Sequence, residues 1–220
     1  MAARAIDNGY AGFCLTVDSA MYSRRERDIR NRYTPVARQA VSGRSWQAAL
    51  DWKTVRLIKR KFNIPLMLKG IATAEDTALA VDHGVDWVCV SNHGGRQLDH
   101  GRGTIEMLPE VVEAARGRTR ILIDGGFYRG ADIVKALALG ADAVGLGRLQ
   151  CYAIAAAGKD GVLRMLEILE DEIGRALGQL GVRSCAELGR AHVHCGALPT
   201  ALPDVFSAFP LRRPPGPAKG

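Results

Sequence analysis

Apolar positions along the chain gather in short runs, each followed by a small or polar turn and then by a stretch with helical spacing. The runs are Gly12–Asp18, Ile64–Lys69, Trp87–Ser91, Arg120–Asp124 and Ala143–Gly147. Apolar residues fall on both parities within a run, so each reads as a strand covered on both faces, as in a parallel sheet packed under helices. Between the runs the spacing predicts helices over about 52–62, 73–84, 104–116, 130–140 and 159–177. Thr73 offers an N-cap with Glu75 and Asp76 behind it, and Gly84 ends that helix. Residues 2–9 read as the last turns of one more helix. Strand and helix in alternation give an α/β chain of parallel βα units.

A polar residue closes every run: Asp18, Lys69, Ser91 with His93, Asp124 and Arg148. Strand C-terminal ends are where α/β barrels and open α/β sheets place their chemistry, because the ends converge and the following loops vary freely. One acid after a strand is as readily a helix cap. Five such residues point to one site. After Leu198 the chain carries Pro199, Pro203, Pro210, Pro214, Pro215 and Pro217, which excludes helix and central strand. Residues 1–194 therefore read as the folded unit and 195–220 as an extended tail.

Composition narrows the class. The 220 residues, 47% hydrophobic and 24% charged, suit one globular domain and exclude a disordered or collagen-like chain. No apolar stretch is long enough for a membrane span and the first residues do not resemble a signal peptide, so a cytoplasmic protein is expected. Five scattered cysteines with no C-x-x-C pair read as reduced thiols, with no metal site expected. His192-Val-His194-Cys195 is read as surface tail. The net charge of +7 comes from 30 basic and 23 acidic residues, densest between Arg24 and Arg44. No aromatic platform for stacking is interleaved there, which favours a solvated or anion-binding loop over a nucleic-acid partner.

Two stretches carry chemistry. In Ser91-Asn-His93-Gly-Gly-Arg96-Gln-Leu-Asp99 a histidine able to act as a base near neutral pH is followed by two glycines that admit a ligand to the backbone. Arg96, three residues on, suits a carboxylate. Asp124-Gly-Gly-Phe-Tyr-Arg129-Gly130 and Gly145-Leu-Gly147-Arg148 then form paired glycine turns at adjacent strand ends, where a phosphate can meet backbone N–H groups and a helix N-terminus.

These stretches, with Leu15-Thr-Val-Asp18, Arg24-Arg-Glu-Arg-Asp28, Leu68-Lys-Gly70 and the run from Lys135 to Arg148, resemble the FMN-dependent 2-hydroxy-acid oxidases and dehydrogenases, the family of glycolate oxidase, L-lactate dehydrogenases and mandelate dehydrogenase. The likeness covers about residues 1–194. It implies oxidation of a small 2-hydroxy acid to a 2-oxo acid with FMN. His93 would take the proton and Asp18 orient it; Arg25 and Arg96 would bind the substrate carboxylate. Lys69 would sit by the electron-accepting edge of the flavin, with Thr16 and Ser91 touching its ring. Asp124, Gly125, Gly126, Gly147 and Arg148 would surround the ribityl phosphate.

The chain departs from the family twice. Tyr128 stands where an arginine usually meets the phosphate, which leaves that role to Arg129 or to Arg148 with the backbone amides. A closed (β/α)8 barrel needs eight strands and about 250 residues, and the pattern here supplies about five C-terminal βα units. The expected fold is thus an incomplete TIM barrel whose open edges favour a homo-oligomer or a complementing N-terminal half. The alternatives are a catalytically inactive remnant that binds FMN or phosphate weakly, and another FMN-dependent barrel enzyme such as a flavin-dependent isomerase. Arg25, His93 and Arg96 suit a carboxylate substrate and so weigh against the isomerase.

Overall fold

The computed structural model describes residues 1–20, 29–33, 48–98 and 100–196. Helix α1 (Ala2–Asp7) leads into strand β1 (Phe13–Thr16), and among the described residues five helices alternating with four strands follow. They run α2 (Trp52–Lys61), β2 (Leu66–Ile71), α3 (Ala74–Asp82), β3 (Trp87–Val90), α4 (Thr104–Ala115), β4 (Arg120–Asp124), α5 (Gly130–Ala138), β5 (Ala143–Gly145) and α6 (Arg148–Leu180). The five strands form one sheet in the order β1-β2-β3-β4-β5, every pair parallel. This is the partial barrel that the sequence pattern predicts, and each expected strand lies within two residues of its predicted bounds.

Period-two alternation divides the sheet's faces. Leu15, Leu66, Leu68, Val88, Val90, Ile121 and Ile123 pack with Val55, Ala80, Leu108, Val111 and Ala136 of α2 to α5 in one buried cluster. The opposite parity carries Thr16, Met67, Lys69, Trp87, Leu122 and Asp124, all only partly covered, with the exposed Cys14 and the buried Cys89. The inner face is therefore much the wetter of the two, and β1 and β5 each leave one edge unpaired within this sheet.

Carboxylates stitch the N-terminal ends of the strands. Asp86, just before β3, accepts the Leu66 N–H at 2.8 Å and pairs with Lys59 at 2.6 Å. Asp142, just before β5, accepts the Ile121 N–H at 2.8 Å and pairs with Arg120 at 2.6 Å. Both acids hold a neighbouring strand in register, which is a structural task. Side-chain caps start two helices: Asp51 Oδ1 accepts the Thr54 N–H at 2.9 Å and Thr73 Oγ1 the Asp76 N–H at 3.2 Å.

The C-terminal region departs from the pattern-based reading. Helix α6 breaks at Ala157–Gly158, where Gly158 has φ +54, so its second segment matches the helix expected over about 159–177, and a further segment from Arg148 precedes it. Its first segment is alanine-rich and has no clear polar face, so periodicity missed it. Residues 190–192 form a 3-10 turn, with Gly189 N–H donating to His192 Nδ1 at 3.0 Å, and Val193 packs against the core. The His192–Val193 part of the supposed tail is thus docked rather than loose. Residues 197–220, most of the proline-rich stretch, lie outside the described residues.

Candidate active site

The acids and bases at the other rim, the C-terminal ends of the strands, join one network. Lys69 Nζ pairs with Asp124 Oδ2 at 2.8 Å and donates to Ser91 Oγ at 2.8 Å. Ser91 Oγ also accepts the His93 N–H at 3.1 Å, and His93 Nδ1 lies 3.2 Å from Asp18 Oδ1. Asp18 Oδ1 accepts from Ser19 Oγ at 3.2 Å, and Ser19 Oγ accepts from Gln97 Nε2 at 2.8 Å. The ends of β1, β2, β3 and β4 are thereby tied together. Arg148, after β5, reaches the same rim: its Nη2 lies 3.7 Å from where a Cβ on Gly94 would stand, and Arg96 Cδ lies 3.9 Å from that point.

Local backbone features make these contacts possible. The register of β2 on β3 shifts between Lys69 and Ile71, and Gly70 in that bulge has φ +110. A Cβ there would fall 2.5 Å from Asp18 Cβ, so the absent side chain is what lets Asp18 stand beside the strand. His93, Gly94 and Gly95 follow one another with φ 56, 70 and 70. Left-handed geometry at a histidine costs energy and recurs at functional sites. Asn92 Oδ1 holds the loop by accepting the Gly95 N–H at 3.0 Å.

The electrostatics follow from this packing. Burial of Lys69 pulls its ammonium down, but the Asp124 carboxylate more than offsets this, and the group is held above the ordinary lysine value. Cys89 lies under the network on the inner face, and burial, helped by the Asp124 charge, pushes its thiol up to about 12. His93 faces a carboxylate through Nδ1, which fixes Nδ1 as the donor and leaves the Nε2 lone pair free to accept a proton. Asp18 Oδ2 and Asp124 Oδ1 are buried acceptors with no partner among the described residues.

The glycines and arginines of the two turns separate into groups. No heavy atom lies within 4 Å of a Cβ built on Gly126 or Gly147, so both turns offer open backbone. Gly125 instead packs on Thr104, whose Oγ1 donates to the Gly125 carbonyl at 3.2 Å. The N-terminus of α5 is already occupied: Asp132 Oδ2 accepts the Tyr128 and Arg129 N–H groups at 3.1 and 3.0 Å, and Glu172 Oε2 the Gly130 N–H at 2.6 Å. Arg129 spends its guanidinium on Glu172, at 2.6 Å. That ion pair, rather than any member of the rim network, is the contact its guanidinium makes among the described residues. Arg25 lies outside the described residues. Ser19 and Gln97 belong to the network although sequence reasoning gave them no role; their neighbours Asp18 and Arg96 were the only available signal.

A family model described as FMN-dependent dehydrogenase matches residues 1–195. The chain belongs to the FMN-dependent 2-hydroxy acid oxidase family. It is 40% identical over 210 residues to the L-lactate oxidase of Lysinibacillus sphaericus (strain C3-41), a match covering 84% of this chain and 54% of that protein. It is 40% identical over 231 residues to glycolate oxidase 1 of Zea mays, covering 95% of this chain and 61% of that one. A solved structure of mandelate oxidase with benzoyl-formic acid superimposes with a TM-score of 0.76 at 40% identity, covering 84% of this chain and 55% of that one. The chain thus spans little more than half the length of the family members it matches. Among the described residues no helix is long and apolar enough to cross a membrane.

Proposed function

We propose that this chain carries the proton-accepting and cofactor-holding part of an enzyme that oxidises a 2-hydroxy acid to a 2-oxo acid, completed by further polypeptide that supplies the remaining strands. The observation that carries this reading is the unbroken network from Gln97 through Asp18, His93, Ser91 and Lys69 to Asp124. His93 Nε2 takes a proton from the substrate while Asp18 keeps Nδ1–H in place and offsets the charge of the imidazolium. Arg96 at the same rim and Arg25 bind the substrate carboxylate.

The residues present fit FMN on structural grounds. Gly126 and Gly147 leave open backbone, the N-cap position of α6 has no side-chain cap, and Asp124 Oδ1 is a buried acceptor awaiting a donor. Arg148 and the α6 N-terminus would hold the phosphate, Asp124 a hydroxyl of the ribityl chain, and Thr16, Lys69 and Ser91 the ring. Arg129 is left out of this set by its bond to Glu172. Bound FMN would supply the two-electron acceptor. Lys69 contributes a fixed positive charge, whose proton Asp124 retains.

A second reading, a remnant that binds FMN or phosphate without turnover, draws on the half-covered inner face and the two free strand edges. One experiment separates them. The chain is co-expressed with a polypeptide carrying the first three βα units of a family member, loaded with FMN, and mixed without oxygen with lactate, glycolate or mandelate. Bleaching of the yellow flavin that disappears in His93→Asn supports the enzyme. A coloured complex that never bleaches supports the remnant. Gel filtration of the chain alone shows whether a second copy covers the free edges instead.

A further inference from the structure

We propose that the groove between α2 and α3 binds an oligophosphate anion, at the end of the sheet opposite the active-site rim and independently of it. The groove, about 790 Å³, is lined on one side by Lys53, Arg56, Lys59 and Arg60 of α2 and on the other by Asp82 and His83 at the end of α3. Asp86, which fastens the start of β3, pairs with Lys59 just beneath it, so the groove belongs to the N-terminal rim.

Lys53, Arg56 and Arg60 fall on one helical stripe, three and four residues apart, about 10 Å from first to last. All three are exposed. Among the described residues no carboxylate forms an ion pair with any of them, while the groove's acid, Asp82, leans toward Arg118 at 3.7 Å. Arg56 donates from Nη1 to the imidazole Nε2 of His83, at 2.8 Å. That imidazole is fixed from two other sides. Its Nδ1–H donates to the Leu79 carbonyl at 2.7 Å, and its ring lies on Trp52 with centroids 4.9 Å apart. The groove thus holds a row of cations in excess of its acids, Asp82 in the lining and Asp51 beside Lys53, with one cation oriented by a fixed imidazole acceptor. A single phosphate would meet one or two of these charges. A chain of linked phosphates follows the whole stripe and draws on each cation in turn.

The test is calorimetric titration of the full chain with inorganic triphosphate at low ionic strength. Arg148→Gln is included to remove any contribution from the opposite rim and is expected to leave most of the binding in place. Arg56→Gln with Arg60→Gln is expected to weaken binding by about tenfold or more, and added salt to weaken it further. Lys53→Gln with Arg60→Gln, two exposed side chains that form no ion pair among the described residues, serves if the first pair disturbs folding. Arg183→Gln with Arg190→Gln removes equal charge elsewhere and should change little.

Sedimentation with phosphatidylcholine vesicles, with and without phosphatidylinositol bisphosphate, identifies the source of the phosphates. Uptake that depends on Arg56 and Arg60 assigns a lipid headgroup, and triphosphate binding without uptake assigns a free anion. Affinity within twofold of the parent in both groove variants, or equal weakening by the Arg183 and Arg190 pair, overturns the proposal. Failure of the flavin experiment leaves it standing, because no groove residue takes part in the rim network.

Discussion

Replacing Gly70 by alanine tests how the active-site rim is assembled. The residue sits in the β2 bulge with φ +110, and a Cβ would stand 2.5 Å from Asp18 Cβ, 2.6 Å from its Cγ and 3.0 Å from its backbone nitrogen. Two costs follow. Holding a non-glycine residue at that φ costs about 1–3 kcal/mol. Forcing a methyl group into a filled space costs about another 1–3 kcal/mol. Gly126 supplies the control, since its φ is +85 but nothing lies within 4 Å of its built Cβ, so only the first cost applies. Urea unfolding should show Gly70→Ala losing about 2–6 kcal/mol and Gly126→Ala about 1–3 kcal/mol. The methyl group should also push Asp18 off His93, opening the 3.2 Å contact and releasing the Nδ1–H tautomer. Imidazole nitrogen NMR would report that change. If the two alanine variants unfold within about 0.5 kcal/mol of each other and the His93 tautomer is unmoved, the account of Gly70 as the space for Asp18 is wrong.

Other perturbations follow from the same geometry. Lys69 is held above the ordinary lysine value, so its contribution to stability is intact below about pH 10 and lost as pH rises through the folded value. Lys69→Met should therefore lower stability at neutral pH, by leaving Asp124 unpaired, and flatten the alkaline limb of a denaturation series. Cys89, raised to about 12 by burial, should resist iodoacetamide in the native chain while the exposed Cys14, Cys151, Cys185 and Cys195 react, as peptide mass spectrometry would show. Equal labelling of Cys89 would contradict its buried place under the network. For Glu172, burial alone would raise the carboxyl, but Arg129 and the Gly130 N–H hold it below the ordinary value. Its stabilisation is thus present above about pH 4.3 and is lost as pH falls through the lower folded value. Glu172→Gln should remove that acid-sensitive component in a chemical denaturation series run from pH 6 to 3. An unchanged acid limb would mean that the α5 terminus does not depend on this carboxylate.

The sequence by itself determined the elements and most of the rim. Strands buried on their helix side by Leu, Ile and Val, and helices begun by Asp51 or Thr73, are local matters of periodicity and capping, readable without neighbours. Strand-end placement of Asp18, Lys69, His93, Asp124 and Arg148 followed from the same period, because parallel strands bring their C-terminal ends to one side. What local pattern did not reveal was how side chains distant along the chain share their hydrogen bonds. Arg129 and the Gly130 N–H read as available to a phosphate until Glu172, 42 residues after Gly130, takes both. Ser19 and Gln97 show no role until the bulge at Gly70 lets Asp18 stand where Ser19 donates to it while accepting from Gln97. Tertiary structure decided these points because a buried hydrogen-bonding group takes its partner from the groups that packing brings within reach, and those come from distant parts of the chain.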